Sequence, residues 1–278
     1  MLTLDHAIVF TRDLAAAARQ YERLGFFVTP RGGHPSLGTA NHTIMLDRNY
    51  LELLTVVVPG PGNDNWAAAM AKGGGFGGLA FGTRDARATQ ASLHARGVAV
   101  PEVVDFERPV VLPNGTVAAR FSVAHLPDDA SPAVPAFFCQ QHTPEYVWRP
   151  EYQRHPNTAF AVVGLTVVAR EPAHLAPAYE RLLGRAAVHP HQGGIDLDLR
   201  GTHLLVVNPQ FAAARLGTAI SVPADGVRPL GITVAVHRLA IAREVLSAGA
   251  IRHRRFGRAS ILVEPADAAG VYLELLEA

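Results

Sequence analysis

Apolar and polar positions along this chain follow one pattern that occurs four times. Residues 4–26, "LDHAIVFTRDLAAAARQYERLGF", contain an apolar run typical of a strand, an Asp suited to begin a helix, apolar residues at helical spacing, and a glycine that ends the helix. The same order recurs at residues 77–98, 163–184 and 230–250. The pattern therefore predicts four strand–helix units.

Each unit continues into short runs rich in β-branched and aromatic residues, separated by turn formers, which predict further strands. The runs are "GFFVT", "HTIML" and "YLELLTVVV" after the first helix; "EVVDF", "TVAARFSVAHL" and "PAFFCQQ" after the second; "AAVHP", "GIDLDL" and "THLLVVN" after the third; and "AIRHRR", "ASILVE" and "VYLELL" after the fourth. The predicted module is βαβββ. Both copies of "YLELL", at 50–54 and 272–276, close a module as its last strand.

A polar, Pro-rich segment, "HTPEYVWRPEYQRHPNT", separates the second and third modules. It predicts two domains of two modules each, over residues 1–142 and 158–278, joined by a linker over 143–157. In such a pair, the strands of both modules can curl around one cavity. The expected fold is α+β, with four βαβββ modules paired into two domains whose curled mixed sheets each surround a cavity.

Composition narrows the class of protein. The chain has 278 residues, of which 49% are hydrophobic and 18% charged, as expected for a globular protein with a substantial core. Its apolar runs are shorter than a membrane helix requires, and its start lacks a signal-peptide pattern, so we expect a cytoplasmic protein with no membrane partner. A net charge of +1 without a long basic run indicates no nucleic-acid partner. The single cysteine, Cys139, lies in an apolar run and is expected to be a packed thiol.

The paired modules resemble the vicinal oxygen chelate superfamily, which includes glyoxalase I, extradiol dioxygenases and bleomycin-resistance proteins. The segments "LDHAIVFTRDL", "GGHPSLGTANHTIML" and "YLELL", in this order, are similar to its glyoxalase-like branch. The resemblance implies that residues on the first and last strands of two paired modules hold a divalent metal. It also implies that this metal chelates adjacent oxygens of a substrate.

The implied ligand positions can be transferred by aligning the modules. The first-strand positions are His6, Gly78, Gly164 and Gly231, and the last-strand positions are Glu52, Gln140, Leu205 and Glu274. The N-terminal pair thus offers His6, Glu52 and Gln140 as metal ligands. The C-terminal pair offers only Glu274, which we expect to be a solvent-facing or hydrogen-bonded remnant of duplication in a scaffold half.

One imidazole, one carboxylate and one amide oxygen suit Zn, Mn, Ni or Mg, with water or substrate oxygens completing the shell. Such a metal would polarise a carbonyl and stabilise an enediolate. Glu52 is either a ligand or the base that moves a proton, its pKa raised by its apolar neighbours. The alternative for His6 is a hydrogen-bonded core residue without a metal.

The loop "RGGHPSLGTANH", at 31–42, is the predicted substrate-binding segment. Arg31 could pair with a carboxylate, while His34 and Asn41 could orient an oxygen-rich substrate. The alternative is a turn whose polar side chains bind its own backbone. His125 and His142, on or just after strands of module two, are further candidates to line the cavity.

Three functions remain open at this stage. The first is a glyoxalase-like enzyme, an isomerase or lyase acting on a small substrate with vicinal oxygens. The second is a metal-free protein of the bleomycin-resistance type that binds or sequesters a small molecule. The third is an interaction scaffold whose cavity has closed. An extradiol dioxygenase is disfavoured, because Gly164 and Gly231 leave its C-terminal histidine positions empty. A homodimer is compatible with modules of this kind.

Overall fold

The computed structural model describes residues 2–60, 63–71, 73–112, 115–223 and 226–278. Within these residues, sixteen strands form two eight-stranded mixed sheets, and each sheet contains two βαβββ modules. The predicted fold class is thereby confirmed. The first sheet ends at Gln141 and the second begins at Ala159. None of the described helices is long and apolar enough to span a membrane.

The first sheet occupies residues 3–141. Its strands are β1 (Thr3–Phe10), β2 (Gly32–His34), β3 (Thr39–Met45), β4 (Tyr50–Val56), β5 (Gly75–Gly82), β6 (Val104–Leu112), β7 (Gly115–His125) and β8 (Ala136–Gln141), and its helices are α1 (Leu14–Arg23), α2 (Asp64–Ala71) and α3 (Ala86–His94). In space the order is β2-β3-β4-β1-β5-β8-β7-β6. The first and last strands of each module therefore meet at the centre of the sheet.

The second sheet repeats this arrangement over residues 159–277. Its strands are β9 (Ala159–Ala169), β10 (Val188–His191), β11 (Gly194–Asp198), β12 (His203–Val207), β13 (Val227–Val236), β14 (His253–Arg255), β15 (Ser260–Val263) and β16 (Tyr272–Glu277), and its helices are α4 (Ala176–Leu183), α5 (Pro209–Leu216) and α6 (Leu239–Ala248). In space the order is β10-β11-β12-β9-β13-β16-β15-β14.

The curl of the first sheet brings its two edge strands, β2 and β6, close together. The His34 and Phe106 rings lie 6.0 Å apart, centroid to centroid. A Cβ atom added to Gly32 would lie 3.4 Å from a guanidinium nitrogen of Arg108. Strands β2 and β6 are not hydrogen-bonded to each other, so the barrel that this sheet forms is almost but not fully closed. The line along which side chains of β2 and β6 meet is called the seam.

Two details differ from the sequence prediction. The run "GFFVT" is not a strand; Phe26 is instead 3% exposed and packs on Tyr21 with ring centroids 5.7 Å apart, so the run fills the core without joining a ladder. Helices α2 and α5 were not predicted. Each connects the two modules of one sheet and covers the concave face of that sheet.

The two halves share one continuous core and are joined by buried hydrogen bonds. Asn49, in the turn before β4, donates its Nδ2 to the Val162 carbonyl and accepts the Val162 N–H on its Oδ1, both at 2.8 Å. Thr202 donates its hydroxyl to the same carbonyl. Asn49 is 4% exposed, so one buried amide side chain binds both backbone groups of a residue in the other sheet.

Candidate functional site

The concave face of the first sheet surrounds a cavity with about 600 Å³ of unfilled space, counted to its open mouth. Its aromatic walls are formed by Tyr50, Trp66, Phe106, Phe121 and Phe137. Its polar groups are His6, His34, Asn41, Thr43, Glu52, Arg108 and His125. A mostly apolar cavity with a few converging polar groups has the character of a small-molecule site.

Strand alternation explains how His6 and Glu52 come to face this cavity. Strands β1 and β4 run in parallel, with His6 opposite Tyr50 and Ile8 opposite Glu52. The intervening Leu51 is fully buried in the core on the other face. Leu53 is fully buried in the same core. Since side chains alternate along a strand, burial of Leu51 and Leu53 turns Tyr50 and Glu52 into the cavity.

Glu52 is the centre of the polar cluster. Its carboxylate is 6% exposed and accepts a hydrogen bond from Asn41 Nδ2 to Oε1 at 2.6 Å. His6 Nε2 lies 3.5 Å from Oε2, and His34 Nε2 lies 4.0 Å from Oε1. The structure therefore brings together four residues that the sequence predicted for the site.

The His6 ring is held in place by Asp5 and Tyr50, and Asp5 contacts the ring nitrogen that faces away from Glu52. Its Nδ1 lies 2.7 Å from Asp5 Oδ1, and its ring stacks on Tyr50 with centroids 4.4 Å apart. Gln141 donates Nε2 to both Asp5 oxygens, and Trp148 donates Nε1 to Gln141. An acceptor at Nδ1 favours the tautomer with its proton there, which leaves the Nε2 lone pair facing Glu52.

Arg108, which the sequence analysis did not select, supplies the cation of the cavity. It lies on β6, with its guanidinium carbon 5.7 Å from the Phe121 ring centroid. Arg31, the predicted carboxylate partner, is exposed and does not line the cavity. The sequence signal for Arg108 was its spacing from Phe106: residues two apart in a strand face the same side, so a cavity-facing Phe106 places Arg108 in the cavity as well.

Two other cavity residues were missed for identifiable reasons. Tyr50 begins the first "YLELL", so strand alternation from Glu52 would have placed it in the cavity. Burial, Asp5 and Glu52 raise the pKa of Tyr50 well above its usual value, which keeps the phenol neutral. Trp66 lies on α2, whose "NDNWAAAMA" run has Asn and Asp at its start followed by strong helix formers.

Besides Arg31, the structure contradicts two of the predicted site residues. Gln140 Oε1 accepts the Ala86 N–H at the start of α3, on the outer face of the sheet. Residues in β8 alternate, and the cavity receives Phe137 and Cys139 instead. Phe137 lies opposite Ala80 as Glu52 lies opposite Ile8, so Phe137 holds the position assigned to Gln140.

His142 is the second correction. Its Nε2 lies 2.7 Å from the Ser122 hydroxyl, and Ser122 also donates to Asp105. Ser122 lies between Phe121 and Val123, which both face the cavity, so Ser122 and His142 belong to the outer face. His125, in contrast, does line the cavity, between Trp66 and Phe137 with ring centroids 6.0 and 5.3 Å away.

Cys139 reaches the cavity wall as a packed thiol. Its side chain is 4% exposed, and burial raises the pKa of the thiol well above its usual value. Asp5 and Glu52 act in the same direction. A thiol that remains protonated is a poor nucleophile and a poor metal ligand.

The donor set does not fit the metal centre that the resemblance implies. Such a centre takes ligands from both modules, but the positions in module two hold Gly78 and Phe137. Among the described residues, no group of three or more His, Cys, Asp or Glu side chains is arranged to hold a metal ion. His6 and Glu52 alone leave most of a metal's coordination shell without protein ligands.

The buried histidines predict a pH-dependent stability. His34 and His155 are both 8% exposed, and burial lowers the pKa of each. Below the ordinary histidine pKa, the unfolded chain binds protons that the folded chain does not. The free energy of unfolding should therefore fall from pH 7.5 to 5.5, by up to about 1.4 kcal/mol per pH unit for each histidine.

Urea unfolding at both pH values would measure this dependence. Burial lowers the pKa of His125 as well, so three histidines contribute, and His34→Gln should reduce the difference by removing one of them. As a control, His189→Gln, on an exposed side chain, should leave the difference unchanged. An unfolding free energy that does not change between the two pH values would contradict the expectation.

Comparison with known proteins was consistent with this architecture. A family model described as "Glyoxalase-like domain" matches residues 4–183. A solved structure of a hypothetical protein from Staphylococcus aureus aligns over 100% of both chains, with 13% identity and a TM-score of 0.71. A mutant of 4-hydroxymandelate synthase from Streptomyces coelicolor aligns over 100% of this chain and 93% of its own, with 12% identity and a TM-score of 0.60. At these identities the two structures show the fold alone. No curated protein sequence matches the chain.

Proposed function

Because the chain belongs to the glyoxalase-like domain family, we propose that its N-terminal cavity binds a small carbonyl compound with adjacent oxygens and moves a proton on it. The reaction is an isomerisation or a related lyase step, and Glu52 is the base. One observation carries this proposal: a buried carboxylate faces a largely aromatic cavity, with Asn41 on one oxygen and His6 beside the other.

The proton transfer follows from the arrangement around Glu52. Glu52 removes a proton from the carbon next to a carbonyl, and the C–H electron pair forms a carbon–carbon double bond while the carbonyl π pair moves onto oxygen. The 3.5 Å separation between Glu52 Oε2 and His6 Nε2 is longer than a hydrogen bond. Once protonated, Glu52 can donate a hydrogen bond to the lone pair of His6 Nε2. This hydrogen bond stabilises the protonated carboxyl until it returns the proton to the neighbouring carbon of the substrate.

The developing negative charge has two partners in the cavity. Arg108 is permanently charged and lines the wall formed by β6. His34, whose pKa is lowered by burial, is a neutral hydrogen-bonding group with Nδ1 2.9 Å from the Thr39 hydroxyl. Donors fixed before the reaction stabilise an enolate oxygen without reorganising. The proposal assigns proton transfer to side chains because the described donors do not complete a metal centre.

The walls indicate which carbonyl compounds are accepted. Five aromatic side chains surround the polar cluster, so a flat or aromatic substituent is favoured next to the reacting carbons. Suitable probes are hydroxyacetone, 2-hydroxyacetophenone and benzoin, which all carry a hydrogen on the carbon between the hydroxyl and the carbonyl. The two aromatic compounds should react better than hydroxyacetone if these walls determine specificity.

Exchange of carbon-bound hydrogen tests the proposal without knowledge of the final product. Each probe would be incubated with the protein in D2O, and NMR would follow deuterium entering the carbon next to the carbonyl. We expect enzyme-dependent exchange in 2-hydroxyacetophenone that persists after dialysis against a chelator. Exchange lost on chelation and restored by a divalent metal would contradict the assignment of proton transfer to side chains.

A second candidate function is binding without turnover. It is favoured by Gly78 and Phe137, since module two contributes no acid or base at the positions equivalent to His6 and Glu52. Calorimetry with the same probes separates the two functions. Tight binding without deuterium exchange would identify a protein that sequesters its ligand.

A further inference from the structure

The second sheet has a cavity of its own, on the face equivalent to the first site. Its unfilled space is about 470 Å³, counted to its open mouth. Most of its lining is apolar and includes Leu205, Val207, Phe211 and Leu230. This half was expected to be a scaffold, yet its concave face is open to a small molecule.

The second copy of "YLELL" projects into this cavity in the same way as the first. Strands β13 and β16 run in parallel, with Gly231 opposite Tyr272 and Thr233 opposite Glu274. Glu274 therefore occupies the place that Glu52 has in the first sheet. It is 8% exposed and lines the cavity. Of the two expectations for Glu274, a solvent-facing position is wrong, and a hydrogen-bonded position is observed.

The partners of this second carboxylate differ from those of Glu52. Gly231 stands where the first sheet has His6, and Arg215 of α5 supplies the partner instead. Arg215 donates Nη2 to Glu274 Oε2 at 3.0 Å, and Thr233 donates its hydroxyl to the same oxygen at 3.1 Å. The Arg215 guanidinium carbon lies 4.9 Å from the Phe256 ring centroid. The charges of Arg215 and Glu274 thus balance inside the cavity.

We propose that this C-terminal cavity is a second binding site, for a neutral aromatic molecule with one hydroxyl or N–H donor, such as a phenol or an indole. Apolar walls select the ring. Among the described residues, both donors to Glu274 end on Oε2, which leaves Oε1 to accept a hydrogen bond from the ligand. An anion would be placed against Glu274 and a cation against Arg215, so the balanced pair disfavours both.

Four matched ligands test the chemistry on the full chain. Calorimetry would compare 4-ethylphenol with ethylbenzene, which lacks the donor, with 4-ethylbenzoate, an anion, and with 4-ethylbenzylamine, a cation. We expect 4-ethylphenol to bind about tenfold more tightly than ethylbenzene, since one hydrogen bond to a carboxylate separates them. Equal affinities, or a preference for either ion, would overturn the proposal.

Variants then assign the ligand to one cavity. Glu274→Leu should weaken 4-ethylphenol binding about tenfold and leave ethylbenzene binding unchanged, which would show that the cavity itself is intact. Leu205→Trp fills the cavity from another wall and should abolish binding of both. Glu52→Gln is the crossed control. If affinity for 4-ethylphenol falls in Glu52→Gln and persists in Glu274→Leu and Leu205→Trp, the phenol occupies the first cavity and the second site is refuted.

Discussion

Replacing Glu52 by Gln should lower the rate of deuterium exchange by about 10²- to 10⁴-fold, the usual contribution of a positioned base. The amide keeps the shape of the side chain and an oxygen for the Asn41 hydrogen bond, but it cannot take up a proton. The affinity for 2-hydroxyacetophenone, measured by calorimetry, should change far less than the rate. Loss of rate with retained binding is the signature of a group that acts in the transition state.

A matched control lies on the same sheet. Glu107 is exposed, next to Arg108 along β6 but on the outer face. Glu107→Gln removes the same charge without touching the cavity and should leave exchange unchanged. If Glu52→Gln retains exchange at the rate of the unmodified protein, Glu52 is not the base, and the binding function becomes the better account of this cavity.

Replacing Asn49 by Ala should lower the free energy of unfolding by about 2–4 kcal/mol. The change removes two buried hydrogen bonds to Val162 and a third to the Thr202 hydroxyl, and it leaves the Val162 N–H without its partner, in a place closed to water. Urea unfolding would measure the loss. Far-UV circular dichroism reports both sheets, whereas fluorescence reports the two tryptophans, Trp66 and Trp148, which lie in the first half and in the linker.

Thr202→Val is the control for this effect. It removes one hydroxyl that donates to the Val162 carbonyl, but Asn49 still donates to the same atom. The expected loss is only about 1 kcal/mol. An Asn49→Ala protein no less stable than Thr202→Val would show that the amide bridge contributes little to joining the halves.

The residues that sequence reasoning located are those whose neighbours fix the face of a strand. Glu52 lies between Leu51 and Leu53, and His6 is followed by the apolar run Ala7–Phe10. The alternation of a half-buried strand then gives the direction of the polar side chain. Glu274 follows the same rule. The module order was readable for a related reason, since strand–helix–strand patterns with their caps recurred four times.

Gln140 shows where this reasoning fails. In "FFCQQ" two aromatic residues are followed by a small thiol and two amides, so the pattern does not distinguish the two faces of the strand. Aligning the last strands by sequence assigned the position equivalent to Glu52 to Gln140, whereas the structure places Phe137 there. The register of β8 is set by pairing with β5 and β7, which is a tertiary property.

The two unpredicted helices account for the other omissions. Helices α2 and α5 have eight residues each, too few for a clear apolar period. They nevertheless carry Trp66 and Arg215, one at each cavity. Arg108 was missed because its neighbours in the site, His34 and Glu52, are distant in sequence and become adjacent only when the sheet curls.

The seam between β2 and β6 has a consequence for how this fold diversifies. Everywhere else, enlarging the first cavity would separate strands that share a row of backbone hydrogen bonds, but the seam is closed by side chains such as those of His34 and Phe106. Substitutions along the seam can change the volume available to a ligand without breaking the backbone hydrogen bonds of the sheet. Among homologues of this chain, substitutions that change the preferred ligand should therefore concentrate in β2 and β6, while the central strands keep their residues.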